Sequence, residues 1–225
     1  MDTPHNPPHV VIDVVSDVVC PWCYLGKHRL EQALASIPEI QATVRWHPFM
    51  LDPTTPPEGV DRREYFTRKF GSVEAVEPAH RRLVEMGSEI GIDYRFEDIT
   101  RTPNTLDAHR VVRWAGEIGR TEAMVERLFR AYFTEGVYVG DRAELVRLAG
   151  EVGLDAAEID ARLASDRDKV DIEREIETAG EMGVTGVPCF IIDGRYAVMG
   201  AHESETLAGA IRKAVAERNE PAASR

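Results

Sequence analysis

The sequence predicts an α/β fold in which a β-α-β unit and an α-β-β-α unit are separated by a large all-helical insertion. Three observations predict it. An apolar, β-branched run (Val10, Val11, Ile12, Val14, Val15) reads as a buried strand and leads directly into a helical stretch. From Asp61, apolar side chains recur at helical spacing for about a hundred residues. Near the C-terminus, Phe190, Ile191 and Ile192 are followed by Asp193-Gly194 and then Tyr196 to Met199, the pattern of a hairpin. The α/β domain is expected over 10–60 and 166–218, and the inserted helical domain over 61–165.

The 225 residues suffice for one large domain or a domain with an insertion, and 43% hydrophobic content supports a core. Against 27 basic residues stand 39 acidic ones, a net charge of -12. That excess argues against nucleic acid or an anionic membrane as the main partner. The opening MDTPHNPPHV has no basic stretch leading into a signal-type apolar core. The run at Val10 is too short to span a bilayer and is broken by Asp13. A cytoplasmic location is therefore expected, where three cysteines do not make a disulfide framework.

In chain order, residues 1 to 9 read as an extended arm with His5 and His9. Ser16 and Asp17 end the first strand, and Pro21 suits the first position of a helix reaching Ile37–Pro38. Thr43, Val44, Trp46 and Phe49 make a second strand, which Pro48 ends or places at an edge. Such a unit pairs its strands in parallel through a right-handed crossover. Leu51 to Gly59 is a Pro-rich connector. Asp61 can cap a helix bearing Tyr65, Phe66 and Phe70, and Ser72 the next segment, which Pro78 restarts. Asn104 is the expected N-cap of a helix with Ala108, Val111, Val112 and Ala115. Helices starting at Thr121 and Asp141, and one over Leu154 to Leu163, complete a block with no expected strand. Asp166 opens a helix that stops at Gly183. A final helix runs from Glu203 to Glu217, before a frayed tail beyond Asn219.

The chemistry sits at the first strand-to-helix junction, Cys20-Pro21-Trp22-Cys23. A sulfur at the start of a helix meets free N–H groups and the positive end of the helix dipole, which favours a thiolate. Cys20 is therefore the nucleophile, and Cys23, one turn on, can attack a mixed disulfide formed at Cys20. Structural zinc needs about four ligands. The remaining cysteine, Cys189, has no close His or Cys in sequence, so no metal is expected. A purely structural disulfide over so short a loop would staple little chain.

Other residues carry two readings each. His109 lies inside a helix, where it can line the cleft and shuttle a proton or simply pack. His47 ends the second strand as a surface or supporting residue. Asp13 interrupts an apolar strand, either as a buried proton acceptor for Cys23 or as a solvated edge carboxylate. Cys189 is a buried free thiol or a relay for a disulfide from Cys20.

Without the helical block, the element order is that of thioredoxin. With the block after the second strand, the chain resembles the DsbA family from Val10 to Ala216, carried by CPWC at Cys20–Cys23 and GVTGVPCF at Gly183–Phe190. CPWCYLGK, WHPFML and PNTLDAHR look most like its cytoplasmic, FrnE-like branch of thiol–disulfide oxidoreductases and isomerases. The resemblance implies a DsbA-like thioredoxin fold, a cis Val187–Pro188 bond, and substrate binding by Pro21, Trp22, Val187, Pro188 and His109. A proline at a strand start leaves the preceding backbone free to pair with an extended substrate. No cofactor is implied beyond glutathione as a redox partner. The partners are a thiol or disulfide protein or glutathione, with the chain a monomer or homodimer. Related kappa-type glutathione transferases and 2-hydroxychromene-2-carboxylate isomerases are the alternative. They place Ser where this chain has Cys20, and a Ser-Asp pair where it has Gly200, Ala201, His202 and Glu203. A non-enzymatic, peptide-binding chaperone is the third reading.

Trp22 offers an indole where an imidazole would stabilise a thiolate. The Cys20–Cys23 couple is accordingly expected well below the potential of strong periplasmic oxidants, about -120 mV. Equilibration against glutathione buffers with thiol trapping measures it, and a value as high as theirs contradicts the expectation.

Overall fold

The computed structural model describes residues 7–218. The expectations for His5 and for the tail beyond Asn219 lie outside the described residues.

Strand β1 (His9–Ser16) runs into α1 (Pro21–Ala35), and the chain returns in β2 (Gln41–Pro48), parallel to β1 from His9↔Gln41 to Ser16↔Pro48. Strands β5 (Cys189–Ile192) and β6 (Tyr196–Met199) complete an antiparallel hairpin, and the sheet order is β2-β1-β5-β6. Asp193 (φ 55°) and Gly194 (φ 64°) adopt positive φ at the centre of the turn that the Arg195 N–H closes onto the Ile192 carbonyl. Pro48 ends β2, which is an edge strand, as the sequence indicated.

The pleat sends alternate side chains to opposite faces. Val10, Ile12, Val14, Phe190 and Ile192 pack against Leu30 and Ala33 of α1 and against Leu207 and Ile211 of α9 (Ser204–Arg218). Val15 and Cys189 face the other way, onto Ala179 and Val184 at the end of α8 (Lys169–Glu181).

The inserted block comprises α2 (Arg62–Phe70), α3 (Glu77–Glu89), α4 (Leu106–Glu117), α5 (Thr121–Thr134), α6 (Arg142–Glu151) and α7 (Ala156–Leu163). Asp61 caps α2 through the N–H groups of Arg63 and Glu64, and Asp141 caps α6 through Glu144. Three details differ from expectation. Asn104 lies one residue outside the N-cap, which is Thr105, and its Oδ1 takes the Leu106 N–H at 3.0 Å. Helix α8 begins at Lys169 instead of Asp166, because Asp168 turns left-handed (φ 62°) first. The block also contains strands: β3 (Val60–Asp61) pairs antiparallel with β4 (Arg101–Thr102). Two residues are too few to show a period-two pattern, so sequence could not reveal this ladder.

Arg110 joins α4 to the end of α7 and to the segment that leads into α8. It is fully buried on α4. Its guanidinium donates to the carbonyls of Arg167 (2.8 Å), Arg162 (2.8 Å) and Ser165 (2.7 Å) and to the Asp107 carboxylate (2.7 Å). It also lies 4.9 Å from the Trp114 ring, whose N–H donates to Asp168 at 2.7 Å. Replacing Arg110 by Ala removes the donor to three backbone carbonyls and to the half-exposed Asp107 carboxylate. The variant should lose about 1–3 kcal/mol of unfolding free energy, read as a lower urea midpoint at unchanged slope.

Candidate active site

The β1–α1 junction is built as a tight turn. The Cys20 N–H donates to the Asp17 carbonyl at 3.0 Å, and the Cys20 carbonyl accepts from the Cys23 and Tyr24 N–H groups at 3.0 and 3.3 Å. Cys20 is thus the N-cap of α1, with Pro21 as the first helical residue. The thiol does not cap the helix as the dipole argument expected. A thiol is a donor, and its Sγ lies against the Val187 carbonyl at 3.7 Å.

That carbonyl belongs to the Val187–Pro188 peptide, which is cis. The Pro188 carbonyl in turn accepts the Gly200 N–H at 2.7 Å. The loop can lie this close to α1 because of Gly26: a Cβ there would sit 2.9 Å from Pro188 Cγ and 3.1 Å from the Phe190 ring. The geometry therefore brings Cys20, Pro21, Trp22 and Cys23 together with Val187 and Pro188.

The two sulfurs have unequal surroundings. Cys20 is 3% exposed and Cys23 1%. Burial pushes the Cys23 thiol well above its ordinary pKa, and the neighbouring Cys20 sulfur adds to the rise. The Ser16 hydroxyl and the Asp17 backbone oppose it through hydrogen bonds. Cys23 is thereby held as the protonated member of the reduced pair.

The remaining candidates lie elsewhere. Asp13 is bound to Arg45 (2.7 and 2.8 Å) and His47 (2.8 Å) on the α8 side of the sheet, away from α1. Its partial burial would raise its pKa, but those hydrogen bonds hold it below the ordinary carboxylate value. This is an ion-paired carboxylate, and the acid that comes beside the dithiol is Asp17, in the turn after β1. Asp17 is 1% exposed, and its Oδ2 accepts the Leu51 N–H at 2.8 Å. His109 Nε2 lies 2.9 Å from the Phe49 carbonyl and 3.5 Å from Asp17 Oδ1. It supports the chain behind the site. Cys189 is fully buried on the face opposite Phe190, and burial raises its pKa.

Sequence reasoning missed three residues that set this geometry. Gly26, a glycine inside a helical pattern, was the available signal for close packing. Tyr94, 73 residues from its partner, donates its hydroxyl to the Pro21 carbonyl at 2.6 Å. Burial, followed by the nearby Cys20 sulfur, raises the Tyr94 pKa, so it remains a donor. Lys27, 3% exposed, is surrounded by Glu31 (2.6 Å), Glu122 (3.0 Å) and Glu126 (2.9 Å), which joins α1 to α5. Burial alone would lower its pKa, but the three carboxylates raise it above the ordinary value. Among the described residues, no cluster of three or more His, Cys, Asp or Glu side chains could hold a metal.

A dithiol at the first turn of a helix, facing a cis-proline loop on a four-stranded sheet, is the site of a thioredoxin-type redox protein. The family comparison agrees: residues 11–212 match the DSBA-like thioredoxin domain, and the chain belongs to that family of thiol–disulfide oxidoreductases. Among its relatives, YwbO of Bacillus subtilis (strain 168), described as uncharacterized, is 30% identical over 204 residues, covering 90% of this chain and 96% of YwbO. SCO1869 of Streptomyces coelicolor, described as a probable DsbA oxidoreductase, superposes with a TM-score of 0.87 at 33% identity, over 96% of this chain and 94% of its own. The cytosolic disulfide reductase DsbM of Pseudomonas aeruginosa shares the fold, with a TM-score of 0.62 at 20% identity over 92% and 96% of the two chains. DsbM has also been solved with GSH.

The charge cluster around Lys27 gives the site an acid limit. Burial would raise the Glu126 pKa, but hydrogen bonds from His28 and the Lys27 charge outweigh this and hold it at about 2, against an ordinary 4.5. A depressed carboxylate contributes stability that is complete above its unfolded pKa and is lost as pH falls towards the folded one. Glu126→Gln should therefore cost about 1–2 kcal/mol at neutral pH. It should also flatten the decline in stability between pH 4.5 and about 2. Urea titrations across that range measure both effects.

Proposed function

We propose that this chain is a thiol–disulfide oxidoreductase and isomerase that uses the Cys20–Cys23 dithiol. The observation that carries the proposal is the position of the Cys20 sulfur, at the helix start and 3.7 Å from the Val187 carbonyl. In the reductive direction the Cys20 thiolate attacks one sulfur of a substrate disulfide. A Cys20–substrate disulfide forms, and the other substrate sulfur leaves as a thiolate that takes up a proton. Cys23 then loses its proton and attacks Cys20 Sγ, which releases the second substrate thiol. Two electrons have passed to the substrate, and Cys20 and Cys23 are joined.

The backbone beside Val187 and Pro188 aligns an extended substrate over the sulfurs, and Pro21 and Trp22 form the opposing wall. The raised pKa of Cys23 slows its attack. A mixed disulfide that persists can be attacked by another substrate thiol, which is the isomerase route. In a cytoplasmic setting, reduction and isomerisation are favoured over net oxidation. Glutathione is the proposed reductant, a reading supported by the GSH-bound structure of the fold relative DsbM. The kappa-type reading is disfavoured, because Cys20 stands where those proteins place Ser.

Cys20→Ser should reduce disulfide turnover to background. Cys23→Ser should instead accumulate a mixed disulfide at Cys20, visible by mass spectrometry under non-reducing conditions. If Cys23→Ser traps nothing and both variants turn over normally, the dithiol mechanism is wrong.

A further inference from the structure

We infer that a cleft between α2 and α3 is a second binding site, for a small aromatic monocarboxylate held by Arg62. The site is separate from the dithiol and does not rest on the redox reading. Among the described residues, five lysine and arginine side chains are buried: Lys27, Arg29, Arg62, Arg110 and Arg127. A buried cation needs a compensating carboxylate. Lys27 has Glu31 at 2.6 Å, Arg29 has Glu203 at 2.6 Å, Arg110 has Asp107 at 2.7 Å and Arg127 has Glu135 at 2.8 Å. Arg62, 9% exposed, has no carboxylate within 4.0 Å among the described residues.

What Arg62 does hold leaves one edge of its guanidinium free. Nη1 donates to the Tyr132 hydroxyl at 3.2 Å, and the guanidinium carbon lies 4.6 Å from the centre of the Phe66 ring. Nε and Nη2 have no hydrogen-bond partner among the described residues, and neither is sealed from solvent. Their parallel N–H groups are the fork with which arginine grips a carboxylate. Arg45 uses the same two atoms to hold Asp13, at 2.7 and 2.8 Å. Burial lowers the Arg62 pKa, and no carboxylate opposes it.

Arg62 lines a cleft of about 480 Å³, a volume typical of small-molecule sites. Phe66 of α2, His80 of α3 and Phe96 give the cleft an aromatic wall, and the His80 ring stacks on Phe96 at 4.0 Å. Burial, and then the Arg62 charge, lowers the His80 pKa to about 4, so at neutral pH His80 is an uncharged ring. These rings suit a flat apolar body. Asp61, Glu77, Glu97 and Arg63 complete the charges of the lining. Asp61 is taken up by the α2 cap, and Glu77 pairs with Arg81 at 3.6 Å. Three carboxylates against two guanidiniums disfavour a dianion such as a phosphate ester and leave room for a single negative charge at the Arg62 fork. None of Cys20, Pro21, Trp22, Cys23, Val187 and Pro188 lines this cleft.

The test is an NMR titration of the full chain with 2-naphthoate, following the Arg62 Nε–H and the ring protons of Phe66, His80 and Phe96. The expected result is saturable shifts at these groups, with a Kd of about 1 mM or tighter. 2-Naphthamide, the same rings without the charge, should bind about ten-fold more weakly. Acetate, the charge without the rings, should show no saturation at the same concentrations. Arg62→Gln should erase the preference for 2-naphthoate over 2-naphthamide, and Arg63→Ala should keep it. Arg62→Lys, which retains the charge without the fork, should weaken 2-naphthoate several-fold and serves where Arg62→Gln does not fold. Cys20→Ser should bind 2-naphthoate as the parent chain does, so failure here is distinct from failure of the redox mechanism. Equal binding of 2-naphthamide or acetate, unchanged affinity in the Arg62 variants, or shifts confined to Cys20, Cys23 and Val187 would each overturn the inference.

Discussion

Helix α1 belongs to two cores at once, and the site depends on that. Leu30 and Ala33 join the core under the sheet, whereas Cys20, Cys23, Tyr24 and Leu25 join the core of the inserted block. Both sulfurs are thus packed by residues from the insertion as well as by the scaffold that carries them. Lys27 strengthens this arrangement, since a buried cation is tolerable only where carboxylates meet it, and two of its three come from α5. Tyr94 adds a hydrogen bond from the block into the motif itself. The insertion is therefore part of the wall of the candidate site.

The opposite wall is set by contact distance. The absence of a side chain at Gly26 lets the Pro188 ring approach the helix backbone, and this brings the Val187 carbonyl to the Cys20 sulfur. Arg29 holds the same region from below, donating to the Ala201 carbonyl at 2.7 Å and pairing with Glu203 at 2.6 Å. The two halves of the site are 167 residues apart in sequence and are fixed by packing on one helix.

Much of this was legible in the sequence, for physical reasons that can be named. The β-branched run at Val10, Pro21 at a helix start, the Asp193-Gly194 turn and the CxxC spacing are local signals that backbone sterics impose. The family resemblance supplied the cis bond, and helical periodicity from Asp61 supplied the insertion. What the sequence left open was orientation. Asp13 and Asp17 are equally visible as acids near a strand, but the pleat and the turn send Asp13 to Arg45 and Asp17 to the Leu51 N–H. His109 carried two readings, a cleft residue or a packed one, and its ring both borders the cleft beside β2 and lies 2.9 Å from the Phe49 carbonyl. Tyr94 and the carboxylates of α5 carry no signal at all, because their partners are distant in the chain.

The pleat of β5 has one further consequence. Cys189 and Phe190 are adjacent, yet one faces α8 and the other faces α1. Bringing the Cys189 sulfur to Cys20 would require β5 to slip by one residue, which would put Phe190 on the wrong side of the sheet. Strand alternation thus works as an insulator between thiols. The chain carries an odd cysteine, and the sheet holds that sulfur against α8, on the face opposite Phe190.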